Sequence, residues 1–196
     1  PGGSFGSDAR GKSGRNAGRR CRSIAIGPSG SPRRRRPPGI CGGPTMRLLC
    51  DHMLGSLARW LRFIGYDTAY PEPGPDRSLI ERARAEDRIL LTRDKELASR
   101  VPGSVQIRSD DLEEQIREVA ERLPLRLVDP LSRCSLCNEV LVSAVPEDVK
   151  GLVPEGVRVR HHTFWRCPSC GRVYWQGSHW DKMIARLHDL DLPRAP

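Results

Sequence analysis

Ile89-Leu90-Leu91-Thr92-Arg93-Asp94 is the stretch that decides the fold. Three aliphatic residues and a threonine in succession read as a short strand buried on both faces. A carboxylate directly at the end of such a strand must be solvated, paired or bound to a cation. Upstream, Met46-Arg47-Leu48-Leu49-Cys50 repeats the pattern and also ends on an aspartate, Asp51. Two apolar strands that each end on an acid would place both acids at the carboxyl edge of a parallel sheet.

Between these strands Leu54, Leu57, Ala58, Leu61 and Ile64 recur at helical spacing, and Gly65 is placed to end the helix. Trp60 and Phe63 lie off that stripe, which predicts a second packing neighbour, while Arg59 and Arg62 form most of the polar strip. Asp67 to Tyr70 reads as another short strand. Pro71, Pro73, Gly74 and Pro75 then impose a loop, and Asp76 is placed to cap a helix burying Leu79, Ile80 and Ala83. After Asp94 a short helix runs to about Arg100 and Val105 to Ile107 forms a weaker fourth strand. Leu112, Ile116, Val119, Ala120 and Leu123 mark an amphipathic helix halted by Pro124. Strands alternating with helices predict an α/β domain over residues 46–128: a mostly parallel sheet flanked by helices, with right-handed crossovers. Ligands in such sheets bind beyond the carboxyl ends of the strands, where Asp51, Asp94 and one of Asp110 and Asp111 fall.

Clustered carboxylates at a sheet edge suit phosphodiester hydrolysis, because they hold Mg²⁺ or Mn²⁺ to polarise phosphate and activate water. Asp51 and Asp94 are the leading candidates, with Asp76 and Asp110 or Asp111 completing an acidic pocket. A local role competes: Asp76, Asp110 and Asp111 stand where helices start, and carboxylates there cap amides and complement the dipole. Arg93, Arg59 and Arg62 are candidates for holding phosphates, against the default of solvated arginines. His52 adjoins Asp51 and is a candidate for proton transfer, although neighbouring side chains usually point apart.

Residues 129–196 carry two C-x-x-C pairs, Cys134-Ser-Leu-Cys137 and Cys167-Pro-Ser-Cys170. Two such knuckles make a tetrahedral Zn²⁺ site with no open position for water, so the metal's expected role is structural. Disulfides are the competing reading, but no secretory signal is present and Cys21, Cys41 and Cys50 would remain. His161 and His162 are rival ligands, surplus once four thiolates are counted. Val140 to Val142 and Arg158 to Trp165 read as strands of this zinc ribbon. Trp165, Tyr174 and Trp175 are placed either to stack on bases or to fill its core. Ser178-His179-Trp180-Asp181 has capping-box form, opening a helix that buries Met183, Ile184, Leu187 and Leu190 and docks the ribbon. His179 joins the arginines as a nucleic-acid contact.

The 196 residues suffice for one α/β domain and a small module. Ten basic residues against one acidic in positions 1–45 supply the whole net charge of +9, leaving residues 46–196 balanced. Rich in Gly, Ser, Pro and Arg, that segment reads as a disordered basic tail, either an upstream extension or an arm for phosphates. The longest apolar runs are a few residues, which predicts no membrane partner and a cytoplasmic protein.

The run from Cys50 to Arg62, CDHMLGSLARWLR, followed by Gly65-Tyr66-Asp67-Thr68, resembles the opening of the Mut-seven C-terminal ribonuclease family. Ile89 to Asp94, both cysteine pairs and Tyr174-Trp175-Gln176-Gly177-Ser178-His179-Trp180 are similar to later parts of that family in the same order. The resemblance implies a PIN-like nuclease fold fused to a zinc ribbon, with Asp51 and Asp94 as metal-binding acids, Asp76 as a third, and RNA as substrate. It further implies products with a 3′ hydroxyl and a 5′ phosphate. Many members carry a ubiquitin-like domain where this chain has the basic segment, and an acid that similar sequences place before Asp76 is Pro75 here. The expectation is therefore a ribonuclease hydrolysing single-stranded RNA. Its rivals are a noncatalytic RNA-binding or ribosome-associated module and a phosphatase with Asp51 as nucleophile; the latter usually wants a second acid where Met53 stands.

Overall fold

The computed structural model describes residues 46–127, 129–190 and 192; the basic segment 1–45 lies outside the described residues. Arg47–Cys50 (β1), Asp67–Ala69 (β2), Ile89–Thr92 (β3) and Val105–Gln106 (β4) form a sheet in the order β2-β1-β3-β4. Every pairing is parallel, with Leu49 beside Ala69 on one side and Leu90 on the other. A 3₁₀ turn, His52–Leu54, leads into α1 (Gly55–Phe63); α2 (Asp76–Ala85), α3 (Lys95–Arg100) and α4 (Leu112–Arg122) follow in the expected places.

Successive residues of a strand face opposite sides, and this alternation divides the core. Leu48, Cys50 and Leu91 pack with Leu57, Leu61 and Phe63 of α1 and Ile116 and Val119 of α4. Leu49 and Leu90 point the other way, onto Leu79, Ile80 and Ala83 of α2 and Leu97 of α3. Both faces of β1 and β3 are thus covered, which explains why their sequences are continuously apolar rather than alternating.

The cysteine-bearing part builds a three-stranded antiparallel sheet from Val142–Ala144 (β5), Phe164–Arg166 (β6) and Val173–Tyr174 (β7). The strand expected from Arg158 to Trp165 is corrected: Glu155–Arg160 is a helix, α5, and only Phe164 onward is extended. Pro154 in extended conformation starts that helix, with Glu155 in its first turn and Arg158 and Arg160 in its last, as the dipole favours. Val140 falls outside β5 and is half-exposed.

The last helix, α6 (Ser178–Asp189), returns to the larger sheet's first face. Leu187 and Leu190 enter that core, Trp180 meets Phe63 edge-on at 5.1 Å, and Arg186 lies over Trp60 at 5.5 Å. Trp60 and Phe63 lie off the α1 stripe because this helix covers them. The capping-box expectation does not hold: Gly177 is the N-cap and no side chain caps the helix. The amide of Asp181 instead donates to the Gly177 carbonyl, and Asp181 sits in the first turn. Among the described residues no helix is long and apolar enough to cross a membrane.

Candidate active site and metal centre

Strand β1 delivers Asp51 to the C-terminal edge of the sheet, where its amide donates to the Leu91 carbonyl of β3 at 2.9 Å. The residue is only 2% exposed. It precedes a helical turn yet caps nothing with its side chain, so the local role available to an aspartate at a helix start is absent here. Oδ2 accepts a hydrogen bond from Thr92 Oγ1 at 2.7 Å. Oδ1 lies 2.6 Å from His52 Nδ1, an ion pair only when that imidazole is protonated, and has no hydrogen-bond partner among the described residues. A buried carboxylate oxygen without a donor is costly unless a cation or water takes that place.

Thr92, the last residue of β3, joins the two strand-end acids. Its hydroxyl donates to Asp51 and accepts the amide of Asp94 at 3.0 Å. Asp94 is exposed and caps α3, Oδ1 accepting from the amides of Glu96 and Leu97 at 2.7 and 3.0 Å. Its other oxygen is not engaged in that cap. Sequence reasoning did not single out Thr92; the only signal was its place between an apolar run and an acid.

The remaining candidates separate. Asp110 is exposed and ion-paired with Arg93, so each answers the other's charge; Arg93 Nε is buried without a hydrogen-bond partner among the described residues. Asp111 caps α4 through the amides of Glu113 and Glu114, the local role weighed for it. Asp76 is not a cap: Pro75 holds that position, and Asp76 stands in the first turn of α2, 3.7 Å from Arg100. Arg59 and His179 are exposed. Tyr70 reaches back over the same edge, its hydroxyl donating to the His52 carbonyl at 2.6 Å.

Arg62 corrects the expectation of a phosphate-holding side chain. It is 4% exposed, and its guanidinium donates to the carbonyls of Thr68 at 2.8 Å, Ser135 at 3.1 Å and Leu136 at 2.6 Å. Burial pulls its pKa down, opposed by the thiols of Cys50, Cys134 and Cys137. The reason is tertiary: the first cysteine knuckle folds over α1 and removes this arginine from water. Asn138 completes the contact, accepting the Thr68 amide at 3.0 Å and donating to Asp67 at 2.8 Å.

The four cysteines gather as their spacing predicts, all sulfurs within 4.8 Å of one another. Cys134 and Cys170 are separated by 3.6 Å, and Cys137 and Cys167 by 3.4 Å. Zn–S bonds of about 2.3 Å imply tetrahedron edges of roughly 3.8 Å, whereas a disulfide needs about 2.05 Å. The donor set therefore fits a zinc ion. Asn138 and Gly171, each following the second cysteine of its pair, adopt φ of 69° and 74°, the left-handed region those two residue types tolerate. Burial raises the Cys134 thiol, but hydrogen bonds from Tyr174 and the amides of Cys137 and Leu136 outweigh it and bring it to about 7. Neither His161 nor His162 belongs to the cluster. Among the described residues it is the only group of three or more metal-ligating side chains so gathered; the carboxylates form none.

Comparison with known proteins gives one match by family. The model of the Mut7-C RNAse domain matches residues 46–187, from the start of β1 into α6. The match spans both the parallel sheet and the cysteine centre, and it points to a nuclease role with RNA as the substrate class. No curated protein and no solved structure matches.

Proposed function

From the premise that this chain belongs to the Mut7-C RNAse domain family, we propose that it is a metal-dependent ribonuclease hydrolysing single-stranded RNA at the C-terminal edge of its parallel sheet. One observation carries the placement: Oδ2 of the buried Asp51 is held by Thr92, while Oδ1 has no hydrogen-bond partner among the described residues and only His52 Nδ1 beside it at 2.6 Å. An acid fixed on one oxygen and unsatisfied on the other is set to receive a cation. Asp51 and Asp94 would hold Mg²⁺ or Mn²⁺, with Asp76 and Asp110 as outer members. Such an ion supplies polarisation of the phosphate and a water acidic enough to attack it.

The protein's own part is positional. Thr92 fixes the direction of the Asp51 carboxylate and the backbone of Asp94 together, so neither acid reorients independently. The α3 cap occupies Oδ1 of Asp94 and leaves Oδ2 outside that cap. Tyr70 ties the turn after Asp51 to the segment after β2, closing one side of the edge. Arg59 and His179 are exposed and available to RNA phosphates. The products carry a 3′ hydroxyl and a 5′ phosphate. Four cysteines hold Zn²⁺ in a structural role, with no position left open for substrate.

A noncatalytic RNA-binding or ribosome-associated module is the second reading, favoured by the capping engagement of Asp94 and Asp111. Incubating labelled single-stranded RNA with purified protein under Mg²⁺, Mn²⁺ or EDTA decides between them. The nuclease reading expects cutting that needs metal and is lost in Asp94→Asn. Intact RNA under every metal, with zinc bound and binding unchanged in Asp94→Asn, favours the module.

A further inference from the structure

From Gly156 to Trp180 the chain holds four arginines, three histidines and no carboxylate, although residues 46–196 are neutral as a whole. The zinc tetrathiolate to which Cys167 and Cys170 of this stretch would contribute carries two negative charges, fewer than the four arginines offset. With Leu152 and Val153, part of this segment forms an open groove of about 340 Å³ beside the cysteine cluster, bounded further by Cys170, Gly171, Arg172, Val173 and Trp175. Leu152 is 53% exposed on its rim, an apolar side chain without a covering neighbour, and Arg172 is exposed beside it. An apolar wall, one aromatic ring and one guanidinium are what a nucleotide needs: a surface for the base and a charge for the phosphate.

The three ribbon aromatics differ in availability. Tyr174 is committed inward, its hydroxyl 3.1 Å from Cys134 Sγ, and Trp165 packs on the cysteine cluster. Trp175 lies partly buried against Ala144, Val149 and Phe164 and reaches the groove. Gly177 makes room for it: a Cβ there would fall 2.8 Å from Trp175 Nε1 and 3.9 Å from His161 Nε2. Packing on Ala144, Val149 and Phe164 restricts the ring before a ligand arrives, which lowers the entropy cost of stacking. Gly171, at φ 74°, has no atom within 4 Å of where a side chain would start, so the groove floor stays open there.

We infer that this groove is a nucleobase-binding site of the ribbon, with Trp175 stacking one base of a single-stranded RNA and Arg172 contacting its phosphate. The inference rests on the ribonuclease reading for its ligand. It is tested with the full chain carrying Asp94→Asn, so that bound RNA stays intact, by fluorescence anisotropy with a labelled oligouridylate and oligoadenylate. Trp175→Leu is expected to weaken binding by about 5- to 100-fold, as the loss of one stacked base does. Trp175→Phe should keep most of the affinity, and both variants should retain zinc. Undiminished binding by a zinc-loaded Trp175→Leu overturns the site. Should that variant lose zinc, photocrosslinking of 4-thiouridine RNA to the Trp175 chain decides. Adducts within residues 150–177 support the site, and adducts confined to other segments overturn it. Cleavage by the chain with Asp94 intact, measured alongside, separates the two claims. Cutting with no Trp175 effect removes this site alone; neither cutting nor binding removes the ribonuclease reading and this one with it.

Discussion

Thr92 holds two acids through one oxygen, and that economy makes it sensitive to substitution. Valine has nearly the same shape but cannot donate to Asp51 Oδ2 or accept from the Asp94 amide. Thr92→Val is expected to reduce single-turnover RNA cleavage by about 10- to 100-fold, the usual effect of losing a group that orients a metal ligand. The thermal midpoint should fall as well, since the substitution leaves the buried Asp51 Oδ2 without its donor, a loss of about 1–3 kcal/mol. Undiminished cleavage by the folded variant, assayed well below its midpoint, would remove Thr92 from the site. At this scale the sequence was informative where a charge directly follows an apolar run: the strand-end positions of Asp51 and Asp94 were legible for that reason, although only Asp51 is buried. Arg62 was not. At helical spacing on a polar strip it reads as solvated, and its burial depends on carbonyls at Ser135 and Leu136, more than seventy positions away.

Strand β2 is an edge of the sheet, and an exposed edge invites unwanted pairing. Here the edge is closed by side chains: Arg62 on the Thr68 carbonyl, Asn138 on the Thr68 amide. Arg62→Met keeps the apolar stem but leaves three carbonyls without their donor, and should lower unfolding free energy by about 2–3 kcal/mol. Urea titration measures this, and an unchanged midpoint would contradict the clamp. Asp67, at the start of the same strand, is paired with Arg88 at 2.7 Å and lies within 4 Å of Arg47 and Arg133. Burial alone would raise its carboxyl, but hydrogen bonds from Arg88 and Asn138 and the nearby guanidinium charges hold it below the ordinary 3.8. A carboxyl depressed by folding adds stability that is complete above the unfolded value and disappears as pH falls through the folded one. Stability should therefore drop below about pH 4, and Asp67→Asn should start lower at neutral pH with a flatter acid limb. An acid limb of the same steepness in the variant would exclude Asp67 as its source. The strands and large helices were readable from periodicity. Helix α5 was not, because the valines and arginines of Glu155–Arg160 alternate as in a strand while Pro154 and the charge order favour a helical turn.

Across the molecule, the cysteine module and the parallel sheet share contacts that neither would make alone. The first knuckle rests on Arg62 and Asn138, and α6 returns Leu187 and Leu190 to the core of the sheet. Zinc should therefore stabilise more than its ribbon. One zinc per chain is expected by elemental analysis, and chelation should lower the melting midpoint of the whole described region, monitored through Trp60 and Trp180. A metal-free protein with the same midpoint would show the cysteines to be dispensable. This coupling was only partly legible, since spacing predicts a zinc site but not what its knuckles rest on. The proposed ribonuclease site at this edge stands or falls with Asp51. The most direct measurement compares the intact chain with Asp51→Asn on a 5′-labelled single-stranded RNA, with Mn²⁺ or Mg²⁺ and matched zinc content. The account predicts metal-dependent fragments ending in a 3′ hydroxyl, reduced more than about 100-fold by the substitution; equal cleavage by both proteins, or none by either at any metal concentration, would contradict it.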